Sequence, residues 1–172
     1  MADNMIASYQ DIYSEIKETL LLSRSQAYSA VNSAMVQAYW NIGRIIVEHE
    51  QSGNLRADYG KGVLNHLSEQ LTDEFGKGFD VRNLRNMRAF YVTFPKWNAL
   101  RSELSWTHYR ALLRVENDAA RNWYMEESVR AGWSSRQMER QISTLYYDRL
   151  LSSREKTPVV EEAGKLMEPL AA

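Results

Sequence analysis

Apolar residues along this chain recur at steps of three and four almost from end to end. Tyr9, Ile12, Tyr13, Ile16 and Leu20 share one side of a helix turning about 100° per residue, which predicts a first amphipathic helix with that face buried. Tyr28, Val31, Met35, Ala38, Ile42, Ile45 and His49 alternate steps of three and four, the heptad-like pattern of a long second helix. Tyr39, Trp40 and Ile46 widen its apolar stripe, so more than one packing partner is expected. Gly53, within Gln51 to Asn54, is the expected stop. Residues 1–55 thus read as a long helical hairpin.

A third helix is predicted from about Tyr59 to Phe75, turning Leu64, Leu67, Leu71 and Phe75 inward. Gly76-Lys77-Gly78 follows, and its glycines permit the positive φ of a tight turn. Asp80 is placed to cap a fourth helix that buries Leu84, Met87, Tyr91 and Phe94, and Pro95 forbids its continuation. Helix, glycine turn and capped helix together outline a helix-turn-helix. Ser105 then predicts the start of a short helix carrying Trp106, Tyr109, Leu112 and Leu113, and a further helix spans roughly Asn117 to Ala131 before Gly132. Ser134 and Gln137 form a capping box for a last long helix reaching about Ser153, with Met138, Ile142 and Leu145 inward. Residues 155–172, with Pro158 and Pro169, read as a linker or flexible tail with a short helical possibility around Val159 to Leu166. No strand-like alternation persists. The expected fold class is all-α: a multi-helix bundle over residues 1–154, with helix-turn-helix-like units in 56–154.

Composition changes this picture in two ways. A chain of 172 residues has room for one well-buried core or two small ones. The absence of cysteine excludes a disulfide framework and thiolate chemistry, and fits a reducing, cytoplasmic address. No apolar run nears the roughly 20 residues of a membrane helix, and Met1 to Gln10 lacks a basic signal-peptide start, so neither secretion nor a membrane partner is expected. Secondly, the net charge of -1 hides an asymmetry. Met1–Gly76 holds 5 basic and 10 acidic residues, Lys77–Arg114 holds 8 and 2, and Val115–Ala172 holds 8 and 10. The middle third is a basic island.

On the fourth helix the inward Leu84, Met87 and Tyr91 turn Arg82, Arg85 and Asn86 outward, with Arg88 on the flank. Arginine grips phosphate or a guanine edge and asparagine pairs with adenine, so this face suits DNA. It would also suit a protein contact or plain solvation. A second candidate is the last long helix, where Arg136 and Arg140 oppose the apolar side together with Ser143 and Tyr147. Glu139 and Asp148 dilute its charge, and it would serve equally in a subunit interface. DNA is the expected partner; a homo-oligomer or protein-interaction module, paired through the heptad helix or the Arg136 and Tyr147 face, is the alternative.

Trp40, Trp106, Trp123 and Trp133 read as core residues, while Trp97, just after Pro95, is placed to stand exposed and stack. Catalytic chemistry finds little to work with. His49, His66 and His108 are scattered, and the acid pairs Glu48/Glu50, Asp73/Glu74 and Glu126/Glu127 diverge on a helix. Glu15-Ile16-Lys17 matches the E-x-K fragment of a nuclease signature but sits inside an amphipathic helix, with no preceding acid on a strand. No catalytic residue, metal ligand or cofactor is assigned.

Tyr39-Trp40-Asn41-Ile42-Gly43-Arg44-Ile45-Ile46, Tyr59-Gly60, Leu67-Ser68, Gly78-Phe79, Asn83-Leu84, Met87-Arg88, Phe90-Tyr91, Leu104-Ser105-Trp106 with His108-Tyr109, and Trp133-Ser134 occur in this order. Together they resemble the amino-terminal domain of the YhcG family of predicted bacterial nucleases, over about Ser23 to Arg149. In that family a helical domain precedes a PD-(D/E)XK-type nuclease domain whose strands carry the metal-binding acids and lysine. The resemblance implies a DNA-directed architecture with a nuclease domain as its covalent neighbour. That half has no counterpart before Ala172, so the expectation for this chain is a non-catalytic targeting domain.

Overall fold

The computed structural model describes residues 2–51 and 57–166, the side chains of 2–8 and 57–61 excepted. It places α1 over Ala2–Gln51, α2 over Ala57–Phe75, α3 over Val81–Thr93 and a 3₁₀ turn over Trp97–Ala99. Next come α4 (Trp106–Leu112), α5 (Asp118–Ala131), α6 (Ser135–Ser143), α7 (Tyr146–Ser152) and α8 (Thr157–Lys165). Among the described residues there is no strand, and the protein is all-α.

The hairpin expected over residues 1–55 is instead one helix of 50 residues, about 75 Å long. Between Leu20 and Tyr28 the chain reads Leu21-Leu22-Ser23-Arg24-Ser25-Gln26-Ala27, without glycine or proline, so nothing breaks the backbone ladder where the pattern changes phase. The expected stop at Gly53 lies outside the described residues. The buried side of α1 differs as well. Val36, Ile46 and Val47 are buried, Val36 to 3 % exposure, and Trp40 is half-buried beside them. Tyr28 is 71 % exposed, and Val31, Met35 and Ile45 also face solvent, so of the large apolar residues in the heptad stripe only Ile42 packs on the core, beside Leu84 and Met87. The face of Tyr9, Ile12, Tyr13, Ile16 and Leu20 is likewise bare; every residue from 9 to 31 is exposed.

Gly43 explains which side won. A Cβ built there would lie 2.0 Å from the Met87 carbonyl oxygen, so α1 and α3 reach their close approach only because position 43 has no side chain. Trp40 completes the contact: its ring meets Tyr91 edge-on at 5.0 Å, and its Nε1–H donates to the Phe94 carbonyl at 2.7 Å. Burial of Leu84, Met87 and Ile46 forms one core cluster, lined by Leu64, Leu67 and Leu71 of α2. Phe75, expected inward, is exposed and meets Phe79 edge-on.

The larger cluster joins Phe90 and Phe94 of the α3 end to Tyr109 and Leu112 of α4, Tyr124 of α5, Met138 of α6 and Tyr146 of α7. Its aromatic rings meet edge-on or tilted: Phe90 lies 5.3 Å from Trp106 and 4.8 Å from Tyr109. Such pairs add roughly 0.5–1.5 kcal/mol each beyond the area they bury. The last long helix is broken into α6 and α7 by Leu145, which takes φ 52° and points into solvent. Tyr146 is buried in its place, 5.5 Å from Trp123. Left-handed backbone at a leucine costs about 1–3 kcal/mol, which the burial of an aromatic ring of roughly 150–250 Å² offsets.

Within the expected linker, the short helix foreseen around Val159 to Leu166 is present, but it is docked on α6 rather than free. Residues 157–165 form α8, in which Ala163 is buried and its carbonyl accepts from Gln141 Nε2 at 3.0 Å. Pro158, in the first turn, starts this helix rather than preventing it. Residues 167–172, with Pro169, lie outside the described residues.

Candidate nucleic-acid interface

The first turn of α3 is fixed from three directions. Gly76 and Gly78 adopt φ 81° and 115°, turning the chain from α2 into α3. Asp80 caps the helix by accepting from the Asn83 N–H at 3.0 Å. The Asn83 amide donates to the Gly78 carbonyl at 2.5 Å and accepts from Trp106 Nε1–H at 3.1 Å, tying turn, helix and α4 together. Asn83 is therefore structural.

Arg82 and Arg85 stand exposed on the opposite side of this anchored turn, and among the described residues no ion pair engages either one. Asn86 is half-buried between them and the body, and Val92 carries the outward face on as an exposed apolar position. Arg88 differs. Its Nε donates to both Glu50 carboxylate oxygens, at 2.7 and 3.0 Å, which clamps α3 to the end of α1.

The rest of the basic island divides in the same way. Arg101 pairs with Glu126 and Arg114 with Glu139, whereas Lys77 and Lys96 are exposed with no ion pair among the described residues. On the second candidate helix, Arg136 is exposed while Arg140 donates through Nη1 to the Leu166 carbonyl, fastening the end of α8. Two of the six expected ligand-facing residues, Arg88 and Arg140, thus already hold protein partners. The helices α3 and α6 each pack on α4. Trp97, expected to stand free, is 37 % exposed and meets Trp40 edge-on at 5.7 Å.

Histidine and tyrosine chemistry here serves the frame. His108 is buried: its Nδ1 accepts from the Ser105 N–H at 3.1 Å, and its Nε2 lies 3.0 Å from the Trp133 carbonyl. Nε2 therefore carries the proton, and His108 replaces the Glu or Gln of a capping box while holding α4 to the α5–α6 turn. Burial holds its pKa below the ordinary value, opposed by the hydrogen bond to Trp133. The Tyr109 hydroxyl accepts from the Arg101 N–H at 2.7 Å and donates to the Arg101 carbonyl, and burial pushes its pKa up to about 12. Among the described residues no group of three or more His, Asp or Glu side chains is placed to hold a metal ion, and no helix is long and apolar enough to cross a membrane. Glu48, His49, His66, Asp73, Glu74 and Glu126 are surface positions, and Glu15 to Lys17 are exposed on α1.

The sequence pattern missed Gly43, Phe90 and Glu50 as determinants of this face. Phe90 had a signal, because Met87, Phe90 and Phe94 repeat the three-and-four step. The Glu50–Arg88 pair had none, being made between separate helices.

The comparisons with known proteins agree with this frame. No solved structure matches the chain significantly. A protein of Escherichia coli (strain K12), described as "Putative nuclease YhcG", is 33 % identical over 194 aligned positions, covering 94 % of this chain and 52 % of the relative. The chain therefore spans about half the length of the curated relative it matches. The model of the DUF1016 N-terminal domain matches residues 15–149, which takes in the buried half of α1, the glycine turn, α3 and the aromatic core. The chain belongs to the family of the DUF1016 N-terminal domain, the amino-terminal domain of YhcG-type proteins.

Proposed function

We propose that this domain is a non-catalytic DNA-docking module that positions a nuclease, with α3 as its recognition helix in a helix-turn-helix-like unit. The observation that carries the reading is the pair of exposed arginines, Arg82 and Arg85, without an ion pair among the described residues, on a helix turn held rigid by Asp80, Asn83 and Trp106. Guanidinium groups fixed on one face grip phosphates or a guanine edge bidentately, Asn86 suits an adenine, and Val92 suits a thymine methyl. Because the Asp80 carboxylate already takes one amide of the helix start, the two arginines carry the grip on phosphate. Arg88 contributes by holding α3 on α1 rather than by touching DNA, and Arg136 offers a lesser cation on a separate helix. The similarity to a protein described as a nuclease gives such docking a purpose, and the catalytic chemistry belongs to a neighbouring domain.

An electrophoretic shift with duplex DNA tests this. Replacing Arg82 and Arg85 together by alanine is expected to weaken binding about tenfold or more, since each phosphate or base contact is worth on the order of 1 kcal/mol. Unchanged affinity would remove α3 from the interface.

A further inference from the structure

The apolar stripe of α1 has no partner among the described residues. It runs from Tyr9 through Tyr13, Ile16, Leu20 and Val31 to Ile45, on the side of the helix turned away from Val36, Gly43 and Val47, and each of these six is between 48 % and 66 % exposed. Half-exposed side chains of this size leave roughly 90 Å² each, so these six, with Ile12 and Met35 along the edges, present on the order of 700 Å² of apolar surface per copy. The largest patch on an ordinary monomer is roughly 300–600 Å², whereas a stable two-protein interface takes about 800 Å² from each side. A lone helical segment such as 9–31 also gains little from propensity alone and is stabilised chiefly by packing.

We propose that this stripe is the interface for a second copy of the chain, laid antiparallel along α1. The stripe complements itself in that direction. With Ala27 opposite Ala38 of the second copy, Val31 falls opposite Ala34 beside the two-fold centre and Leu20 opposite Ile45, so each central contact includes a small residue and large ones meet toward both ends. The bare segment 9–31 and the segment 34–51 backed by the body are of similar length, about 35 and 27 Å, so each arm covers the outer face behind the other copy's body. A parallel pairing in register would instead set Lys17 on Lys17 and Arg24 on Arg24 beside the seam, stacking like charges. The stripe lies away from α3, so pairing leaves Arg82 and Arg85 uncovered and stands independently of any DNA contact.

Sedimentation velocity on the full chain across a wide concentration range gives the first readout: a species of twice the 20.0 kDa mass is expected. Leu20→Glu, at an exposed position, should weaken its association at least about tenfold while helix content stays unchanged. The chain has no cysteine, so introduced thiols report direction. A short bis-maleimide should join Leu20→Cys chains to Ile45→Cys chains in a mixture, and should join neither variant to itself. A monomer at every concentration, a dimer indifferent to Leu20→Glu, or cross-linking of Leu20→Cys alone would each overturn the proposal.

Discussion

Residues 33–51 of α1 bury Val36, Ile46 and Val47 against the body, whereas residues 9–31 of the same helix bury nothing among the described residues. Both segments are rich in apolar side chains, and the more regular repeat, Tyr28 to Ile45, faces water at Tyr28, Val31, Met35 and Ile45 and meets the core only at Ile42. The difference lies in what each face can approach. At Gly43 a backbone can come into contact, and Trp40 supplies a ring and an N–H beside it; along the outer stripe, bulky side chains stand on a convex ridge. Apolar periodicity locates a face that avoids water, while close approach decides which face the chain itself covers.

Substitutions can separate the two halves, and the largest effect belongs to the body. Phe90→Ala empties a fully buried site ringed by Phe94, Trp106 and Tyr109, and should cost about 3–5 kcal/mol in chemical denaturation. Gly43→Ala forces α1 off the Met87 carbonyl and should cost about 1–3 kcal/mol, measured the same way. The corresponding alanine scan of 9–31 should leave the body's unfolding midpoint in place at concentrations where the chain is monomeric.

A pH scan sharpens the same contrast with a smaller effect. The neutral form of His108 is favoured in the folded state, so its contribution is fully present above its ordinary pKa of about 6.5 and is lost as acid drives the unfolded chain to take up a proton that the fold resists. Thermal stability should therefore fall as pH drops below about 6.5, and His108→Gln, which keeps a capping side chain, should flatten that slope. Glu50→Gln is expected to matter least. Both partners are partly exposed, with side-chain exposures of 43 % for Arg88 and 26 % for Glu50, so losing the ion pair should cost under about 1 kcal/mol in the same melts.

Much of the frame was legible before any coordinates. Asp80, Ser105, Asn117 and Ser134 mark four helix starts where the structure has them, Gly76 and Gly78 adopt the positive φ their turn permits, and Gly132 follows the end of α5 as expected. These are local features, decided by a side chain and the backbone a few residues away. The phase of α1, the break at Leu145 and the docking of α8 were not legible, because each depends on a partner distant in sequence: Met87, Trp123 and Gln141 respectively. At the candidate interface, periodicity placed Arg82 and Arg85 outward. It could not foresee that Glu50 takes Arg88 or that the Leu166 carbonyl takes Arg140.

The central claim is that Arg82 and Arg85, held clear of the acidic helix that takes Arg88, are the cations that meet DNA. A salt titration of duplex affinity tests it directly, because each phosphate neutralised contributes about 0.9 to the slope of log affinity against log salt. The expected result is a slope lowered by up to about two in the Arg82→Ala/Arg85→Ala protein and barely changed by Arg140→Ala. An equal slope in the double variant and the parent chain would contradict it.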